Sequence, residues 1–255
     1  MRRLIEHLSR GVILRRRLPQ SAGGARLLVT PECGLSYWLS AAHDKSLLRN
    51  AADLIKPGAV VWDVGANQGV FALAAAGLAG AGGYVYAFEP DTFLVSLLRR
   101  SARLNPALAP VEVIPCAVSD AVGLARLRIA ERARSANSLE GAEASSQMGG
   151  VRESQTVMTV SLDWCLAHGC KAPAVVKIDV EGAEVNVLRG ARELLRTVRP
   201  AILIEVRTEN AAEITAILRW AGYTLYDSEA AAGARVPLTK PAYNTLALPA
   251  KPAAG

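Results

Sequence analysis

The feature that most restricts how this chain can fold is an alternation of short apolar runs with helix-patterned segments, beginning at Val60. Val60–Val64, Tyr84–Phe88, Val111–Val118, Val175–Val180, Ala201–Val206 and Tyr223–Tyr226 read as strands, and a further strand is expected near Thr245–Leu248. Helical patterns intervene from Gly69, over Thr92–Leu104, over Gly182–Leu195 and over Asn210–Trp220. Parallel neighbours need a crossover and a helix supplies one, so this order predicts βαβ units. The expected fold class is α/β, a mostly parallel central sheet flanked by helices.

Upstream, Ala25–Leu39 reads as a short β element and Lys45–Ile55 as a helix closed by Lys56-Pro57-Gly58. Between Ser119 and Ser161 the pattern turns polar and rich in Gly and Ser, with strand-like pieces at Gly123–Ile129 and Gln155–Val160. We read this stretch as an insertion. The expected organisation is an N-terminal basic helix and short β element over 1–50, one main domain over 51–248 carrying the insertion 119–161, and a disordered tail over 249–255.

The net charge is +6, and much of it is N-terminal: Arg2, Arg3, Arg10, Arg15, Arg16 and Arg17 surround short apolar pieces. That pattern fits a solvated terminal helix, or a basic amphipathic one making weak peripheral contact with anionic lipid or an acidic substrate. No aromatic side chains interleave with these arginines to stack on bases, so nucleic acid is not an expected partner. Cys33, Cys116, Cys165 and Cys170 form no CxxC pair and are expected to be free thiols. With no apolar stretch of secretory-signal type before Arg15, the expected location is cytoplasmic. Val70–Phe88 carries no charge, but Gly77, Gly80, Gly82 and Gly83 interrupt it, so helix, loop and strand are expected there in place of a membrane span.

The first strand runs into Asp63-Val-Gly-Ala-Asn-Gln-Gly69. Gly65 and Gly69 lack Cβ atoms and let the backbone turn tightly and approach a ligand at the strand-to-helix position where α/β sheets bind nucleotides. The spacing is not the GxGxxG used against a pyrophosphate: Asn67 stands where the second glycine would be. Asp63 would repel a pyrophosphate and suits an ammonium. Glu89 closes the next strand, where an acceptor-only carboxylate takes hydrogen bonds from ribose hydroxyls. Two acidic anchors favour a cationic nucleoside.

These residues belong to a larger pattern. Asp-Val-Gly-Ala-Asn-Gln-Gly at 63–69, Ala-Phe-Glu-Pro at 87–90, Ala-Val-Ser-Asp at 117–120, Lys-Ile-Asp-Val-Glu-Gly-Ala-Glu at 177–184 and Ile-Glu at 204–205 occur in that order. The chain thereby resembles the FkbM family of S-adenosylmethionine-dependent methyltransferases, from about residue 50 to about residue 210. The resemblance implies a Rossmann-like class I methyltransferase fold and S-adenosylmethionine as cofactor. It also implies methyl transfer, usually to oxygen, on a small-molecule or glycan acceptor. Asp63, Gly65, Asn67, Gly69, Glu89, Ala117 and Val118 are the expected cofactor-binding positions.

For the chemistry, a sulfonium is already a good leaving group, so the protein must align an acceptor and help remove its proton. Asp179 ends a strand at the switch point and is the expected catalytic carboxylate. Lys177 shares its strand face by the period-two rule and is costly to bury unless paired, so it is expected to orient Asp179 or a substrate oxygen. Glu181 is the expected substrate contact. Glu184 is either a second contact or a helix-dipole residue. Glu205 completes a carboxylate cluster that could hold Mg²⁺, an option ranked second because nothing fixes an octahedral arrangement. His43 and His168 are expected at the surface or at helix caps. Trp62, Trp164 and Trp220 read as core, with Trp164 also a candidate wall for the acceptor. Asn137 and Ser138 form either a turn or a substrate contact. An NAD-dependent oxidoreductase would need the missing glycine. A non-catalytic nucleoside-binding partner protein would leave Asp179 and Glu181 without a task.

Overall fold

The structure is a computed structural model that describes residues 9–34, 45–142 and 150–250. The described chain opens with two antiparallel strands, β1 (Leu14–Arg17) and β2 (Arg26–Val29), paired from Leu14↔Val29 to Arg17↔Arg26. Arg15–Arg17, expected in a helix, are therefore in a strand. Their exposure alternates with period two, Leu14 and Arg16 turned inward and Arg15 and Arg17 outward, which is a strand pattern. Residues 1–8 and His43 lie outside the described residues, as does the tail from 251.

Helix α1 (Lys45–Leu54) is followed by β3 (Val60–Val64), α2 (Val70–Ala79), β4 (Tyr84–Phe88), α3 (Thr92–Arg103) and β5 (Val111–Ile114). The Asp91 carboxylate accepts from Phe93 N and caps the start of α3, satisfying an amide that has no partner within the helix. The uncharged stretch from Val70 resolves into α2, turn and β4. Helix α2 is buried along most of its length because the β1–β2 hairpin covers its outer side: a Cβ on Gly77 would lie 2.4 Å from Gly23 O. Among the described residues no helix is long and apolar enough to cross a membrane.

The expected run Val111–Val118 is two strands in two sheets, because β6 (Ala117–Val118) leaves the main sheet to pair with the insertion. The insertion is a second sheet, ordered β6, β9 (Val151–Val160), β7 (Gly123–Ala130) and β8 (Ser138–Leu139). The alternation resumes with α4 (Leu162–Ala167), β10 (Val175–Ile178), α5 (Glu184–Arg189), β11 (Ala201–Glu205), α6 (Ala211–Trp220), β12 (Tyr223–Asp227) and β13 (Asn244–Pro249). The helix expected from Gly182 to Leu195 stops at Gly190, where a Cβ would meet Ser119 O at 2.3 Å; a π-helical turn, Leu194–Val198, follows.

The main sheet has seven strands in the order β12-β13-β11-β10-β3-β4-β5. β13 is antiparallel to both of its neighbours, and the other pairings are parallel. One core lies on the α1, α2 and hairpin side, where Val61, Val85 and Val175 point; Trp62, Tyr86, Val176 and Ile178 point into the other, against α5 and α6. β3 and β10 are neighbours, and from them the sheet grows in both directions. A crevice opens at that switch point, beyond the carboxyl ends of the strands.

Candidate active site

The turn after β3 is closed by backbone. Gly65 N and Ala66 N both donate to Phe88 O, at 3.1 and 3.0 Å. Gly65 has φ +76°, and a Cβ there would lie 1.9 Å from Asp179 O, so its need for glycine arises from the neighbouring turn. Gly69, φ +90°, faces Leu98 of α3 and does not line the crevice; its glycine permits helix packing. Asn67, φ +53°, donates its amide to Glu89 Oε2 at 2.7 Å, and Asp91 N donates to Glu89 Oε1 at 2.9 Å. Burial pushes Glu89 up to about 7, against the opposing pull of these two amides. A carboxylate oxygen has a second lone pair, so Glu89 keeps acceptor capacity toward the crevice.

Parallel pairing sets Lys177 directly beside Asp63. The ammonium sits 3.2 Å from Asp63 Oδ1, 3.2 Å from Asp179 Oδ2 and 2.8 Å from Gly65 O. Asp63 is fully buried beneath the turn and does not line the crevice. Burial raises its pKa and Lys177 opposes the rise. For Lys177, burial favours the neutral amine, but Asp179 and Asp63 more than offset it and the ammonium is held above its usual range. A buried cation between two carboxylates satisfies the requirement that buried charges be paired. The pairing of Lys177 with Asp179 was expected; the pairing with Asp63 was not, and it follows from strand register.

After β10, Glu181 has φ +52° and its Oε2 meets Arg207 Nη2 at 2.5 Å. Burial raises its pKa, Asp179 adds to the rise, and Arg207 opposes it. Glu184 is buried and faces its own turn: Oε1 accepts from Gly182 N at 2.7 Å and Oε2 from Asn210 Nδ2 at 3.0 Å. That makes Glu184 a support of the turn. Glu205, pushed up to about 7 by burial and by Asp179, accepts the Tyr243 hydroxyl. Asp179, Glu181 and Glu205 bring carboxylate oxygens within 4.8 Å of one another, a set able to ligate a hard cation. Lys177, Arg207 and Tyr243 each already partner one of the three.

Two clefts meet here. The larger, about 590 Å³ of space open to solvent, is lined by Gly65, Asn67, Glu89, Ala117 and Val118, with Asp179 and Glu181 at one end. The insertion closes it from above with Arg134, Ser135, Asn137 and Leu139. Of these, only Asn137 was a sequence candidate. The second cleft, about 390 Å³, is lined by Lys177, Asp179 and Glu205 together with Ser46, Asn50 and Asn244. His168 lies at the end of α4, stacked on Trp164. Trp62 is core, but Trp164 and Trp220 are 41% and 62% exposed, so the core assignment fails for both; neither lines either of these two clefts. All four cysteines are free thiols.

A seven-strand sheet in this order, with a glycine turn and an acidic strand end at its switch point, is the class I methyltransferase fold. Residues 63–225 match the model of the methyltransferase FkbM domain, and the chain belongs to the FkbM family of S-adenosylmethionine-dependent methyltransferases. It is 30% identical over 208 residues to the 31-O-demethyl-FK506 methyltransferase FkbM of Streptomyces tacrolimicus, covering 71% of this chain and 78% of that protein. It is 32% identical over 150 residues to the hexuronic acid methyltransferase AglP of Haloferax volcanii, covering 58% of this chain and 55% of that one. The crystal structure of methyltransferase FkbM from Methylobacillus flagellatus superposes with a TM-score of 0.50 at 16% identity, a likeness of fold that covers 82% of this chain and 54% of that one.

Proposed function

We propose that this methyltransferase moves the methyl group of S-adenosylmethionine to a hydroxyl oxygen of a small molecule or glycan. The cofactor occupies the larger cleft and the acceptor the smaller. The observation that carries this reading is Asp179, which lines both clefts and so stands where methyl carbon and acceptor oxygen must meet. The cofactor fits the larger cleft: Glu89 is a buried carboxylate with acceptor capacity to spare, and ribose hydroxyls supply donors. When bound, the cofactor supplies an electrophilic methyl carbon on a sulfonium that leaves as a neutral thioether. Relatives named for 31-O-demethyl-FK506 and for a hexuronic acid support an oxygen acceptor.

In this reading Asp179, fixed by Lys177, accepts the proton of the acceptor hydroxyl as its oxygen bonds to the methyl carbon. Glu181, steadied by Arg207, lines the larger cleft and lies close to Asp179 and Glu205, so it contacts the acceptor where the two clefts meet. Glu205, which accepts the Tyr243 hydroxyl, lines the acceptor cleft together with Asn244. Because Lys177 and Arg207 already offset the charge of the cluster, the reading assigns it no metal.

Asp179→Asn tests the assignment. The amide keeps the shape and loses the charge, so kcat is expected to fall by about 10²–10⁴-fold while cofactor affinity is retained. Wild-type activity is expected to survive EDTA. A folded Asp179→Asn enzyme with near wild-type kcat overturns the role of Asp179, and activity abolished by EDTA and restored by Mg²⁺ replaces the metal-free version with a metal-assisted one.

A further inference from the structure

Asp91 lies two residues beyond Glu89 and is completely buried. Its amide holds Glu89 Oε1, its Oδ1 caps α3, and its Oδ2 reaches into the insertion. There it takes Arg134 Nη1 at 2.5 Å and Asn137 Nδ2 at 2.9 Å. Arg134 is 6% exposed, lies over the Phe93 ring with its guanidinium carbon 4.6 Å from the centroid, and turns Nε to Glu32 Oε2 at 3.3 Å. Glu32 in turn binds Arg152 of β9 at 3.0 Å. Four charges from the hairpin region, the end of β4 and the insertion thus form one neutral cluster beside the larger cleft. Asn137 adds a second tie, accepting from Ala130 N at 3.0 Å and so fixing the turn against β7.

The segment held in this way is the one that covers the cleft. Leu127 and Leu139 pair directly across β7 and β8 and both line it, as do Ser135 and Asn137. We propose that the Asp91–Arg134–Asn137 clamp holds residues 134–139 as a fixed roof over the nucleoside end of the cofactor. Arg134 is a positioning residue for cofactor binding, acting through Asn137 and Leu139. One residue, Asp91, sets both sides of the nucleoside pocket, its backbone amide holding the floor acceptor Glu89 and its carboxylate holding the roof, so the two keep a constant separation. A buried Arg–Asp pair gives that registry, because breaking it would leave an uncompensated charge. The inference rests on the cofactor assignment made above.

The test is calorimetric binding of S-adenosylhomocysteine, with steady-state kinetics, for the wild type, Arg134→Ala, Arg134→Lys, Asn137→Ala and Arg128→Gln. Loss of the charged tie is expected to weaken binding about tenfold or more in Arg134→Ala. Arg134→Lys, which keeps the charge but not the forked geometry, should fall between wild type and Arg134→Ala. Asn137→Ala should weaken binding less, and Arg128→Gln, which removes an exposed pair with Glu140 on the same sheet, should not change it. The cofactor KM should rise while kcat at saturating cofactor holds, a split that a general loss of folded enzyme would not give. Asn137→Ala carries the test if Arg134→Ala does not fold. Folded variants that bind within about twofold of wild type overturn the roof alone. A wild-type chain that fails to bind S-adenosylhomocysteine overturns the cofactor reading as well.

Discussion

Two turns stand side by side at the carboxyl ends of β3 and β10, and they are closed by different means. Residues 65–69 take their shape chiefly from backbone: two amides converge on Phe88 O and Gly65 is pressed against Asp179 O, with Glu89 and Lys177 adding one side-chain bond each, at Asn67 N and Gly65 O. Residues 179–184 are shaped by side chains: Lys177 holds Asp179, Arg207 holds Glu181, and Glu184 gathers Gly182 N and Asn210. A backbone contact admits one geometry and no side chain, whereas ion pairs and side-chain hydrogen bonds can be exchanged one at a time. The first turn is therefore expected to be intolerant and the second adjustable, which suits a shared cofactor cradle beside an acceptor-dependent reacting centre.

The sharpest way to break this contrast is Gly65→Ala. An added Cβ must displace a backbone carbonyl and adopt φ near +76°. Strain and overpacking together are expected to cost about 3–5 kcal/mol, read from the urea midpoint. A loss under about 1 kcal/mol would mean that the two turns are equally forgiving.

Glu184→Ala probes the second turn. It strips the partner from Gly182 N and one of the two acceptors from Asn210 Nδ2 without adding bulk, so a loss of about 2–3 kcal/mol is expected. Cofactor affinity should persist, because Glu184 does not line the cleft. A variant as unstable as Gly65→Ala would place both turns in the same class.

The smallest expected effect separates the turns by pH. Glu205 is raised from 4.5 to about 7, so between those values the folded state binds more protons than the unfolded state. Stability should accordingly be highest below pH 4.5 as far as this group is concerned, fall as pH rises toward about 7, and level off above it. Glu89 contributes in the same sense. Glu205→Gln removes one source, and the decline in unfolding free energy across that window, read from urea midpoints, should become smaller by on the order of 2 kcal/mol after allowance for solvent screening. An unchanged slope would assign the pH response to the other carboxyls that burial raises, Glu89, Asp63 and Glu181.

Which of these features the sequence could carry follows from the range of the interaction. Tyr84–Phe88 ends where its apolar run ends, because a strand buried on both faces reads as a near-continuous apolar run, and Val60–Val64 departs from that only at Asp63, whose charge Lys177 pairs. Asp63, Glu89 and Asp179 stand at strand ends, so their nearness followed from topology. The Asp63–Lys177 pair did not, since it depends on register between strands far apart in the chain; alternation gave each residue its face but not its neighbour. Arg134 was passed over because a single arginine in a polar insertion carries no pattern, and its carboxylates come from two distant segments. Arg15–Arg17 carry no strand signal in sequence, because three consecutive arginines show no two-residue alternation; the alternating exposure arises only on pairing with β2. Trp164 and Trp220 sit in apolar surroundings in sequence, yet His168 and Arg192 cover them at the surface.

β13 is the last strand of the sheet in chain order, yet it lies between β12 and β11, not at an edge. It also brings Asn244 and Thr245 to the wall of the smaller cleft. During synthesis, then, the cradle around β3, β4 and β10 can assemble while that slot still stands empty, and β12 has no neighbour in the main sheet until the slot is filled. A ribosome-bound chain is expected to gain a place for the nucleoside first and a place for its methyl acceptor only when β13 has emerged.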